Sequence, residues 1–239
     1  MIDIDIQTQP DDETCGPTSL HGIYSFYNDP ITLQTVISEV ERSHSGGTLA
    51  PMLGKHALQR GYQANIYAFN LDVFDPSWFH PRKLSSERLS KKLNDQLLYK
   101  SSTRVIESSL AYQEFLNLGG ELHFRDLTVG LLKHYFDNRI PILTGLSATY
   151  LYQSAREIES STGMAVYDDL KGGPCGHFVI LCGYDEKRRH IVVADPHREN
   201  PLSHNNYYKV NVSRLINSIM LGVLTHDANL LVIEPKEKP

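Results

Sequence analysis

The segment Gln9-Pro10-Asp11-Asp12-Glu13-Thr14-Cys15-Gly16-Pro17-Thr18-Ser19-Leu20 puts a cysteine at the start of a predicted helix. Pro10 and the run of acids read as loop. Pro17 fits the first helical turn, where its missing N–H costs nothing. Leu20, Ile23, Tyr24 and Tyr27 then share one face, predicting a helix from about Cys15 to Tyr27 that stops at Asn28-Asp29-Pro30. Cys15 therefore sits at the positive end of a helix, among N–H groups without intrahelical acceptors. A free thiol has a pKa near ~8.5, and this location favours its thiolate. Gly16 reads as leaving room beside the sulfur.

Gln9 lies six residues before Cys15, on a loop that can fold its amide back beside the sulfur. A side-chain amide and the Cys15 N–H could together bind the negative oxygen of a tetrahedral intermediate. Gln7 competes for this role, and the spacing favours Gln9. Asp11, Asp12 and Glu13 would raise the thiol pKa if they pointed at it. The expectation is that they face water or bond helix N–H groups; the alternative is that they hold a basic part of a substrate.

A base for the thiol appears in Gly176-His177-Phe-Val-Ile-Leu-Cys-Gly-Tyr184, where a histidine heads an apolar strand behind a Gly/Pro turn. The next strand reads His190-Ile-Val-Val-Ala-Asp195-Pro196, and Asp185-Glu-Lys-Arg-Arg189 can join the two as a hairpin. In an antiparallel pair the start of the first strand lies near the end of the second. Asp195 is thereby placed beside His177, where a carboxylate fixes the imidazole tautomer and leaves the other nitrogen for a thiol. His197-Arg198, next in the chain, reads as a solvated turn or a ligand contact.

Outward from these segments, the chain is helical first and β-rich later. Ile2 to Ile6 alternates like a short strand. Thr32 can cap a helix carrying Leu33, Val36, Ile37 and Val40, and Leu49 to Gln59 fits a third helix after the turn Ser45-Gly46-Gly47. Tyr62 to Phe69 reads as a strand. Residues 72–117 carry leucines at helical spacing and read as an inserted helical hairpin, whose expected role is packing rather than a lid. Asp126 is the expected cap of a helix through Tyr135. Strands follow at Ile140–Leu146, Gly176–Tyr184, His190–Ala194, Tyr207–Val210 and Ala228–Glu234, with a short helix at Val212–Ile219. The expectation is one α+β domain over 1–239: a mainly helical part, about 1–137, packed on a mainly antiparallel sheet, about 138–239.

The totals restrict the function classes. At 239 residues and a formal charge of −5, with no basic stripe, the chain does not read as a nucleic-acid binder. No apolar run approaches the ~20 residues that span a bilayer. The N-terminus has acids in place of a basic n-region, so the expectation is a cytoplasmic protein that is not an integral membrane protein. Three cysteines, Cys15, Cys175 and Cys182, form no disulfide framework. A metal site from Cys175, His177 and Cys182 with His190 or His197 has poor spacing, because His177 and Cys182 fall on opposite faces of one strand. No metal and no cofactor are expected.

Taken together, Gln9…Cys15-Gly-Pro-Thr-Ser-Leu, Gly176-His177-Phe-Val-Ile-Leu-Cys-Gly-Tyr and Val-Ala-Asp195-Pro196 resemble the bacteriocin-processing peptidases. Those are the double-glycine leader peptidases of the papain-like superfamily, often fused to peptide exporters. The resemblance implies a papain-like fold, with Cys15, His177 and Asp195 as a triad, Gln9 as oxyanion donor, and a peptide substrate cut after a Gly-Gly leader motif. The Ile140-Pro-Ile-Leu143 stretch fits the strand that commonly precedes the histidine strand. This chain departs from the family in lacking transmembrane helices and a phosphate-loop pattern, and in its extra length at 72–117 and 148–173. It reads as a free-standing member. Gly119-Gly120 reads as an ordinary turn. Acyl transfer to an amine, as in phytochelatin synthases, and a non-catalytic peptide-binding module are the alternatives.

Overall fold

A computed structural model describes residues 1–44, 46–159 and 165–236. In chain order the elements are α1 (Cys15–Phe26), α2 (Leu33–Glu39), α3 (Ala50–Gln59), β1 (Tyr62–Ala68), α4 (Ser86–Asp95), α5 (Thr103–Asn117), β2 (Glu121–His123), α6 (Val129–Asp137), β3 (Ile142–Ser147), α7 (Ala148–Tyr152), β4 (Glu157–Glu159), β5 (Ala165–Tyr167), β6 (Gly176–Asp185), β7 (His190–Ala194), β8 (Tyr207–Asn211), α8 (Val212–Leu221) and β9 (Asn229–Pro235). The fold class is α+β. Seven strands form one sheet in the order β2-β1-β9-β3-β6-β7-β8. Every pairing is antiparallel except β1 with β2, so the helical half contributes two strands to the sheet.

The apolar run of β6 is buried on both faces, and its alternation divides the core. Phe178, Ile180 and Cys182 face a cluster with Leu20 and Ile23 of α1 and Leu53 of α3. Val179 and Leu181 face a second cluster with Leu151, Leu215 and Ile219 of α7 and α8. The hairpin α4–α5 packs on the first cluster: Leu89, Leu93 and Phe115 are each 0 % exposed. Each such burial stabilises by about 1.5–3 kcal/mol, which fits the packing role read for this segment. Cys182 is core, on the face opposite to Val179 and Leu181.

Several local expectations change. Ile2, Ile4 and Ile6 are buried in alternation, but the segment is not a strand. Its backbone is held by the Ile2 N–H donating to Cys182 O at 2.8 Å and by the Tyr207 hydroxyl, which takes the Ile6 N–H and donates to Ile4 O. A side chain thus replaces a ladder. Thr128, not Asp126, caps α6, its hydroxyl accepting from Leu131 N at 3.1 Å. The capping residue must stand directly before the first helical turn. Ser45 of the predicted turn lies outside the described residues, as do 160–164 within the extra length at 148–173. Gly46 has φ +92°, with the Glu13 carboxylate where a Cβ would project.

Candidate active site

The N-terminus of α1 abuts the sheet at the head of β6. Thr14 is the N-cap residue, but its side chain does not cap; its hydroxyl donates instead to Asp11 O at 3.1 Å. Pro17 has no N–H to offer. The N–H groups of Cys15 and Gly16, in the first turn of the helix, have no intrahelical acceptors. Gly16 packs against the core on the side where a Cβ would project. It is buried, and a Cβ there would meet Leu53 Cδ1 at 3.3 Å and Phe178 Cδ2 at 3.4 Å, so the glycine lets α1 pack against β6.

His177 is 7 % exposed and Asp195 0 %. His177 Nε2 lies 2.8 Å from Asp195 Oδ1, which leaves Nδ1 as the free ring nitrogen. Cys15 lies near enough to the imidazole for its side chain to act on the ring's pKa. Burial opposes charge on His177, but the Asp195 carboxylate and Cys15 together outweigh it and hold its pKa well above the usual histidine value. The β6–β7 register, with Ile180 opposite Ala194, brings the Asp195 corner to the head of β6.

Asp195 is surrounded by donors. Oδ1 accepts from His177 Nε2 and from His197 N, each at 2.8 Å, and Oδ2 accepts from the hydroxyls of Tyr152 and Tyr208, each at 2.7 Å. Burial alone would raise its pKa; the charge of His177 and the bonds from His177, Tyr208 and Tyr152 bring it below the ordinary carboxylate value. A bare buried carboxylate costs several kcal/mol, and hydrogen bonds to a charged group return about 1.5–3 kcal/mol each, so this number of donors decides for the ionised form. Tyr152 and Tyr208 were not singled out from the sequence. Tyr152 ends a five-residue helix, and neither tyrosine carries a local pattern that points to Asp195.

Gln9 is tied to the same corner, its N–H donating to Pro196 O at 2.9 Å. Its Nε2 donates to Asp11 O at 2.8 Å, and its Oε1 is buried with no hydrogen-bond partner. With His177, His197, Glu157 and Tyr167, Gln9 lines a cavity of about 180 Å³; Gln7 is exposed and is not among its lining residues. The acids beside Cys15 are largely engaged elsewhere: Asp11 Oδ1 accepts the Glu13 N–H, and Glu13 pairs with Arg42 at 2.8 Å. The ring of His197 stands 6.3 Å from that of His177, and burial and the His177 charge push its pKa down.

The other thiols differ from Cys15 in setting. Burial pushes Cys182 up to about 12. Burial and the neighbouring Glu157 carboxylate raise Cys175 well above the usual thiol value. Among the described residues no group of three or more His, Cys, Asp or Glu is placed to hold a metal ion, and no helix is long and apolar enough to cross a membrane.

No family model and no curated protein matches the chain. Among solved structures, a protein from Bacillus anthracis described as a C39-like peptidase matches over 99 % of this chain and 96 % of its own, with 11 % identity and a TM-score of 0.51. The fold is that of a C39-like peptidase. A double glycine motif protease from an AMS/PCAT transporter, solved in complex with the leader peptide, matches over 98 % and 94 % of the two chains with 14 % identity and a TM-score of 0.45. Xylellain, a cysteine protease from Xylella fastidiosa, matches over 99 % and 88 % with 12 % identity and a TM-score of 0.40. A shared fold leaves the chemistry to be argued from the side chains.

Proposed function

We propose that the chain is a cysteine peptidase in which Cys15 is the nucleophile, His177 its base, Asp195 the group that orients and charges the base, and Gln9 an oxyanion donor. The observation that carries this reading is His177 itself. Nε2 of the imidazole is bonded to a buried carboxylate whose pKa is lowered, and Cys15, at a helix N-terminus, is near enough to raise the ring's pKa. The Cys15 proton passes to His177 Nδ1, and the thiolate forms a C–S bond at a peptide carbonyl. The resulting oxyanion is met by the Cys15 N–H and by the second hydrogen of the Gln9 amide. Collapse breaks the C–N bond as His177 returns the proton to the leaving amine. Water, deprotonated by His177, then cleaves the thioester and restores the thiol. The motif resemblance makes a Gly-Gly leader peptide the first substrate to try.

The test is brief treatment with limiting iodoacetamide at neutral pH, read by peptide mass spectrometry. Cys15 should be modified first and nearly alone, since burial keeps the other two thiols protonated, and His177→Ala should slow that modification at least tenfold. Equal, slow labelling of all three cysteines would refute the activated thiol and turn the reading to a binding module.

A further inference from the structure

The substrate proposed above has glycine at both acyl-side positions next to the cleaved bond. The first side chain beside that bond therefore belongs to the residue on the amine side. The nitrogen of that residue takes its proton from His177, and His177 lines the cavity of about 180 Å³ together with Gln9 and His197. The neighbouring cavity of about 310 Å³, with Asp227 in its wall, is lined by neither Gln9 nor His177. The smaller cavity is thus the one open to the amine-side residue, and it has room for a single side chain rather than for a chain segment.

The wall of this cavity is short of positive charge. It holds two acids, Asp12 and Glu157, and no Lys or Arg. Neither acid forms an ion pair among the described residues. Glu157 is fixed by its backbone, its N–H donating to Gly173 O at 3.0 Å and its O accepting the Gly173 N–H at 2.9 Å. The guanidinium beside it in the chain, that of Arg156, donates instead to the carbonyls of Asp169 and Leu170. The charge of His177 is matched by Asp195. Burial and the His177 charge push the His197 pKa down, so that ring adds no charge at neutral pH, although Asp12 and Glu157 both act on it. A third acceptor, Gln9 Oε1, is buried without a hydrogen-bond partner. A buried acceptor with no donor is costly, so a donor in this cavity would relieve it.

Resting on the proposed peptidase reading, we infer that the cavity lined by Glu157, Asp12 and His197 receives the first side chain of the released product and selects lysine or arginine there. The cationic head would sit between the two carboxylates, with Gln9 Oε1 as a further acceptor, and the apolar stem would lie along Tyr152 and Val166. An apolar side chain would strip water from both carboxylates without replacing it, and an acidic one would add a third negative charge. The Gly-Gly motif and this preference act on opposite sides of the bond, so the second adds to the first.

The experiment mixes three peptides with the protein in one tube. They share an acyl side ending in Gly-Gly and continue with lysine, norleucine or glutamate, and mass spectrometry follows the cleavage of each. The lysine peptide should be cut about fivefold faster than the norleucine peptide, as expected of a partly exposed ion pair, with the glutamate peptide slowest. The advantage should shrink as salt is raised. Glu157→Gln should reduce it by about threefold, and Asp12→Asn by less, because Asp12 is exposed. Competition in one tube cancels any general loss of active protein, and the wild-type ranking stands even if a variant fails to fold. Equal rates for lysine and norleucine, a preference for glutamate, or a lysine preference that Glu157→Gln leaves untouched would overturn the inference while leaving the peptidase reading in place. No cleavage of any peptide, with fast selective iodoacetamide labelling of Cys15, would overturn it together with the Gly-Gly substrate. Loss of that selectivity as well would remove the peptidase reading beneath it.

Discussion

Asp195 and Asp227 are both buried carboxyl groups whose charge bears on His177, yet they are held in opposite states. Asp195 accepts four hydrogen bonds, one of them from the imidazole, and its pKa is lowered despite full burial. Asp227 forms no ion pair among the described residues, and burial outweighs the pull of Thr225, His177 and Arg104 to raise its pKa to about 7. Depth is nearly equal at 0 % and 8 % exposure, so depth does not set the charge. The number of donors does, together with the placing of a cation. The fold thus favours the charged form of the acid that bonds His177, and disfavours it in the other.

The largest break in this comparison is Asp195→Ala. It leaves the hydroxyls of Tyr152 and Tyr208, the His197 N–H and His177 Nε2 without their acceptor in a buried place. A loss of about 3–5 kcal/mol in unfolding free energy is expected, as for other buried charge networks stripped of one member. Urea denaturation measures it, and the iodoacetamide reactivity of Cys15 should fall with it. A loss below about 1 kcal/mol would mean that the tyrosines re-pair at little cost and that the donor count is not what holds this corner.

The main parts of that corner were legible in the sequence, and the supporting shell was not. Cys15, His177 and Asp195 announce themselves through elements: a helix start after a proline-bearing loop, a strand head after a Gly/Pro turn, and a hairpin that folds one strand end onto the other. Those are local patterns with known geometry. Tyr152 and Tyr208 reach Asp195 from a five-residue helix and from the edge strand β8, and nothing in either segment encodes a shared target. Asp227 reads as a polar residue before β9. Its raised pKa comes from burial, in a place where Gly145 and Gly176, brought in from other parts of the chain, pack against it. Ile2–Ile6 shows the reverse failure. Its alternation correctly reports burial but not backbone pairing, because a tyrosine hydroxyl supplies the bonds.

A smaller effect, of opposite sign, is expected at Asp227. Its pKa is raised from an ordinary carboxylate value to about 7 by burial, against the opposing pull of Thr225, His177 and Arg104. The folded state therefore holds a proton that the unfolded chain releases near pH ~4. That contribution is fully present below pH ~4 and is lost as pH rises toward 7. Asp227→Asn carries no such proton, so it should match the wild type near pH 4 and be the more stable form at pH 8, by on the order of 1–3 kcal/mol. Thermal unfolding across this range reads the widening gap. A constant difference between the two proteins at every pH would show that Asp227 titrates normally and is charged in the resting cavity.

The smallest expected effect sharpens the Asp195 side. Tyr152→Phe removes one of two phenols from Oδ2 and should cost about 1–2 kcal/mol. The folded Asp195 pKa is depressed, so its stabilising contribution exists above the unfolded carboxylate value and is lost as pH falls through the folded one. With a donor gone, the folded value rises, and acid unfolding should begin at a higher pH. Tyr208→Phe should do the same. Because both hydroxyls serve a single oxygen, each variant still leaves Oδ2 with one partner, while the double variant leaves it with none. The double loss should therefore exceed the sum of the single losses by more than about 0.5 kcal/mol, the level at which neighbouring sites separate from independent ones. The double variant should also carry an Asp195 that behaves more like Asp227, with its charge dependent on His177 and the His197 N–H. Strict additivity would place the two tyrosines among packing residues and leave the imidazole and the His197 N–H to hold the carboxylate.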